Sequence, residues 1–160
     1  MPRVTTAFAA AVALLLPVRG QLLVGLTPAV GIGAGLLTTQ AAYAMSAEDW
    51  FDSGLEKAVE GMWQAAIADY TKAIEIDQMF AISYYYRGLA RASLKTKDYL
   101  GAIADYTKAI EISPRFARAY ANRGVDRESL NDLEGACADW KKAANLGLSG
   151  QVVEWVKKQC

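Results

Sequence analysis

Histidine is absent from all 160 residues, which removes the commonest general base and the commonest metal ligand. Cysteine occurs twice, as Cys137 and Cys160, with no CxxC spacing and no histidine to join it. That excludes a zinc site and a dithiol redox motif, so the metal reading is none. Acidic residues are missing from the first 44 positions, which hold Arg3 and Arg19 as their only charges. Residues 45–160 therefore carry all 17 acids against 15 of the 17 bases, a net of −2. A slightly acidic body offers no field for phosphate, so nucleic acid is excluded as a partner. Phosphate loops and nucleophile–base constellations are also lacking, and the reading is non-catalytic, with no cofactor.

What the chain does have begins with an apolar leader. Ala7–Leu16 and Leu22–Leu37 are apolar runs parted by Pro17, Val18, Arg19, Gly20 and Gln21. The second run contains Pro28 with Gly25, Gly31, Gly33 and Gly35, poor material for a rigid helix. Ala42 and Ala44 form the small-x-small pair whose side chains fit a signal peptidase. Residues 1–44 are thus expected to be a signal peptide, cut between Ala44 and Met45, which sends the protein to an exported compartment: periplasm, thylakoid lumen or outside the cell. The alternative is an uncleaved membrane anchor, although each run falls short of the ~20 apolar residues that span a bilayer.

Residues 66–76 read Ala-Ile-Ala-Asp-Tyr-Thr-Lys-Ala-Ile-Glu-Ile, and residues 102–112 repeat the same letters. A weaker copy runs from Ala136 to Leu146. A second motif precedes each copy: Trp50 with Gly54, Tyr84 with Gly88, Tyr120 with Gly124. A period near three dozen residues argues for stacked helical hairpins. Paired helices nest closely only where side chains are small, which assigns repeat packing to Gly54, Ala66 and Ala73, to Gly88, Ala102 and Ala109, and to Gly124, Ala136 and Ala143. Trp50, Tyr84 and Tyr120 are expected in the core, with Trp63, Tyr70, Tyr106 and Trp140 as core or inter-hairpin filler. Asp69 and Asp105, recurring at one place in the repeat, are expected to face solvent. Arg87, Arg91, Arg115, Arg118 and Arg123 read as a solvated or salt-bridged face.

The pattern resembles the tetratricopeptide repeat family over roughly residues 47–150, and the ending resembles short bacterial and cyanobacterial members. The resemblance implies an all-α fold: a right-handed superhelix of three antiparallel hairpins, about 47–80, 81–116 and 117–150, closed by a capping helix at 151–160. Two departures stand out. The second hairpin has two extra residues around Lys95-Thr96-Lys97-Asp98, and Gln78 replaces the closing proline that Pro114 supplies in the next repeat. Ser46 with Asp49 suggests a capping box, Ser113-Pro114 a start for the third hairpin, Gly147 a stop and Ser149 a start for the last helix.

Pivoting about Leu148-Ser149, Cys137 and Cys160 lie at equal height on antiparallel helices, so a disulfide between them is expected in an oxidising compartment. In this family the first helix of each hairpin lines a concave groove. Helical periodicity then places Phe51, Leu55 and Ala58, Tyr85, Leu89 and Ala92, and Ala121, Val125 and Glu128 on its floor, with Arg118 and Asn122 at one end. Some members clamp a peptide's terminal carboxylate through Lys and Asn, but Phe51 and Leu55 stand at those places here. An apolar peptide or partner helix is the expected ligand, with the chain acting as an adaptor or assembly factor. A membrane-anchored, self-associating structural protein is the alternative, and a homo-oligomer belongs to that reading.

Overall fold

The structure is a computed structural model and describes residues 45–160; the leader, including Ala44 at the expected cleavage site, lies outside the described residues. Seven helices follow one another in the described part: α1 (Ala47–Val59), α2 (Trp63–Ile76), α3 (Ala81–Ser93), α4 (Tyr99–Ile112), α5 (Ala117–Ser129), α6 (Leu133–Asn145) and α7 (Gln151–Gln159). They pair as hairpins α1–α2, α3–α4 and α5–α6, each packed mainly on its sequence neighbours, and α7 closes the end against α6. None of the described helices is long and apolar enough to cross a membrane.

Close approach within each hairpin rests on a glycine. A Cβ on Gly54 would lie 2.5 Å from the Tyr70 ring, one on Gly88 2.7 Å from Tyr106, and one on Gly124 2.5 Å from Trp140. The rings occupy the space a side chain needs, and all three are fully buried beside alanines of the second helices, Ala66, Ala73, Ala102, Ala109, Ala136 and Ala143. The leading aromatics stand at the margin of the core expected to hold them, Tyr84 and Tyr120 packing against it. Trp50, Tyr84 and Tyr120 are only half-buried, and Arg87 and Arg123 lie over the Tyr84 and Tyr120 rings at 5.5 Å.

Those arginines explain why the aspartates are not solvent-facing. Asp69 and Asp105 are buried, as is Asp139. Arg87 grips Asp105 through two nitrogens at 3.0 and 2.7 Å and reaches back to Thr71 of the preceding hairpin at 3.0 Å. One repeat on, Arg123 grips Asp139 at 2.9 and 2.7 Å and reaches Thr107 at 3.0 Å. Arg91 and Arg127 supply second cations to Asp105 and Asp139. In the first hairpin, Ser53 and Lys57 serve Asp69 instead. Bidentate pairs of this kind compensate a carboxylate for lost water.

The helix ends were partly legible. The capping box at Ser46 and Asp49 forms, and Gly147, at φ +95°, ends α6 with Leu148 N–H donating to the Ala143 carbonyl. Ser113-Pro114 does not start the third hairpin: Ser113 closes α4, and α5 begins at Ala117 after a turn from Ser113 to Phe116. Ser149 does not cap α7 either, since Gly150 holds that place at φ +73°. Caps that the sequence reading missed are Asp98 and Asp132, which accept from the Gly101 and Gly135 amides. The two extra residues do fall in the α3–α4 turn. Cys137 and Cys160 lie with their Cα atoms 5.5 Å apart and the sulfurs within bonding reach.

Candidate groove between the first helices

The first helices α1, α3 and α5 supply the groove residues, and their surroundings divide them into two sets. Leu55 and Leu89 stay half-exposed and line an apolar pocket of about 300 Å³ with Ala58, Val59, Trp63, Tyr70, Tyr86, Ala90 and Ser93. This pocket lies in the seam between the first and second hairpins. Phe51 stands above it, edge-on to Tyr86 at 5.3 Å and to Phe80 at 5.5 Å. The Tyr70 hydroxyl is buried and has no hydrogen-bond partner, and burial pushes its pKa up to about 12. The phenol therefore stays neutral, buried behind the pocket wall.

Tyr85 and Asn122 belong to the second set. The structure brings them together, but they satisfy each other: the Asn122 amide donates to the Tyr85 hydroxyl at 2.9 Å. Tyr85 is buried against Tyr106 and Phe116, so it supports the groove wall rather than offering itself to a guest. Burial raises its hydroxyl pKa, with Tyr86 adding to the rise and Arg118 and Asn122 opposing it. Arg118 is exposed. Ala121 is buried and Val125 half-buried, both in the cluster around Trp140 that α7 covers with Val152 and Trp155.

Sequence reasoning missed two pocket residues. Trp63 was assigned to filler, yet it is half-exposed and stands between the apolar pocket and a second, open depression of about 490 Å³ formed with Gly61, Met62, Leu94, Lys95 and Thr96. Tyr86 was passed over because helical periodicity from Trp50 points one position earlier. Tyr86 had a signal in the sequence, an aromatic ring where the neighbouring repeats carry Asp52 and Asn122; Trp63 had none, since Tyr99 stands at its place in the next repeat.

Similarity to known proteins agrees with this architecture. A family described as TPR repeat matches residues 58–95, and one described as Tetratricopeptide repeat matches residues 82–116. No curated protein matches. Among solved structures, the Arabidopsis OM64 TPR domain is 29% identical over 71% of this chain and 92% of its own, with a TM-score of 0.66. The second TPR domain of human RPAP3, in complex with the HSP70 peptide SGPTIEEVD, is 28% identical over 70% of this chain and 92% of its own, with a TM-score of 0.65. MamA is 34% identical over 63% of this chain and 58% of its own, with a TM-score of 0.60. Repeat period, glycine-on-ring hairpins and these likenesses together place the chain in the tetratricopeptide repeat family.

Proposed function

We propose that the chain is a non-catalytic protein–protein interaction module, an adaptor or assembly factor, whose groove seats an apolar peptide or a partner helix. The observation that carries this is the pocket bounded by Leu55, Val59, Trp63, Tyr86 and Leu89. It is concave and almost wholly apolar, the composition expected of a site that anchors an apolar side chain. The peptide in the human RPAP3 complex supports the general mode of binding. Its acidic end does not suit this groove, because Phe51 and Leu55 hold the places where a cation and an amide would grip a carboxylate.

A library of displayed random dodecapeptides selected on the full chain tests the reading. Enriched peptides are expected to share an aliphatic or aromatic anchor. Their affinity is expected to fall about tenfold, roughly 1.4 kcal/mol, on Leu55→Gln or Leu89→Gln with the helical circular dichroism unchanged. A selection that returns nothing, or binders indifferent to both substitutions, overturns it. The exported localisation proposed from the leader has its own test in amino-terminal sequencing of the purified protein: a start at Met45 supports cleavage, a membrane-bound chain starting at Met1 the anchor.

A further inference from the structure

The groove has a second seam, between the second and third hairpins, and it differs from the first at one buried position. Tyr84 and Tyr120, Gly88 and Gly124, and Tyr70 and Tyr106 are related by the repeat. In the same register Ala90 of α3, a wall of the apolar pocket, corresponds to Asp126 of α5. Asp126 is 4% exposed, and its Oδ2 has no hydrogen-bond partner.

Asp126 is exceptional among the buried aspartates of the described residues. Asp69, Asp105 and Asp139 each hold a lysine or arginine. The cations near Asp126 are committed elsewhere: Arg127 to Asp139 and Asp132, Arg123 to Asp139 and Thr107. Lys97, in the lengthened α3–α4 turn, and the Tyr106 ring are the groups whose fields Asp126 shares, and neither forms an ion pair or hydrogen bond with it. A carboxylate withdrawn from water without a counterion is costly. Burial accordingly pushes its pKa up to about 6, with Lys97 opposing.

We infer that Asp126 is a specificity site of the groove, receiving the ammonium or guanidinium of a lysine or arginine in the bound peptide while an apolar residue of the same peptide fills the Leu55–Leu89 pocket. The inference rests on the groove reading above. The ligand cation supplies what the other three aspartates obtain from within the chain, and Lys97, exposed and unpaired among the described residues, swings aside as it enters.

The same selection decides it. Peptides enriched on the full chain are expected to carry a Lys or Arg beside the apolar anchor. Replacing that residue by norleucine is expected to weaken binding about tenfold or more on the native chain and not at all on Asp126→Asn, so the two changes do not add. Asp126→Asn removes the charge while keeping the shape, and it relieves a buried carboxylate, so a loss of affinity with undiminished thermal stability is not unfolding. Binders that lack a basic residue, or that bind Asp126→Asn as well as the native chain, overturn the inference and leave the apolar groove standing. A selection with no binders overturns both.

Discussion

Single residues decide more here than composition suggests. Asp126 is the clearest case, because its burial carries a pH signature. Its pKa is raised from 3.8 to about 6 in the folded chain. The folded state therefore holds a proton that the unfolded state has lost between those values, and stability falls as pH rises through that window. Below about pH 4 both states are protonated and the penalty vanishes; above about pH 6 it is complete. Asp126→Asn is expected to be more stable than the native chain at pH 7 by on the order of 3 kcal/mol, the two converging near pH 4. Urea unfolding at pH 4, 5, 6 and 7 measures this, and equal pH profiles for the two proteins would refute it. The residue was invisible to a reading that scored each helix for its apolar face. Aligned on the repeat, its place is held by Glu56, Ala90 and Asp126, and since Glu56 is exposed an acid there reads as ordinary surface until the burial of Asp126 is seen. The same blindness misplaced Asp69 and Asp105: an acid in a helix reads as surface until its arginine, 18 residues away in the case of Arg87 and Asp105, is known to fold onto it.

At the level of elements, helix bodies were legible and some of their ends were not. The period of glycine, alanine and aromatic residues fixes which faces meet, and those faces did meet at Gly54, Gly88 and Gly124. Ends depend on one or two polar contacts, and several residues compete for each. Pro114 was taken for a first-turn proline, yet it falls in the turn that precedes α5, whose N-cap Phe116 contributes no side-chain bond. Packing of Phe116 on Tyr85, at 4.7 Å, holds that end in place of a cap. The last element, α7, has nine residues, too few to be helical alone. Val152 is buried and Trp155 sits 5.3 Å from Trp140, which ties the helix down at one end. We propose that the Cys137–Cys160 bond ties the other. It closes a loop with a sequence separation of 23, which the chain-entropy account values at about 3 kcal/mol. Protein purified without reductant is expected to show no free thiol, and Cys160→Ser to lower stability by about that amount with exchange protection lost first in α7. Two titratable thiols in the unreduced protein would refute the bond.

Residues 45–160 form a short line of neighbours, since each hairpin touches chiefly the one before and the one after. In such an array stability is a sum over units and junctions, so a weakened junction divides the molecule instead of loosening it evenly. The junctions are marked in the sequence. Arg87 reaches Thr71 across the first and Arg123 reaches Thr107 across the second. Ser53 and Lys141 stand at the corresponding places on the outer hairpins, where the described residues provide no further repeat to reach. Arg123→Met removes the second link and leaves Asp139 with Arg127 alone. Because Asp139 keeps Arg127, the loss is that of the charge-assisted bonds to Arg123, about 1.5–3 kcal/mol, and it falls on the third hairpin and α7. Urea unfolding of the variant is expected to split, the third hairpin opening first, while the native chain unfolds in one step. The pocket lined from Leu55 to Ser93 lies wholly within the first two hairpins. At a urea concentration between the two steps, the variant is therefore expected to bind an anchor peptide whose base is replaced by norleucine, and to have lost all preference for the version carrying lysine. If both peptides are released together, the hairpins are coupled as one body and the two seams of the groove cannot be separated in this way.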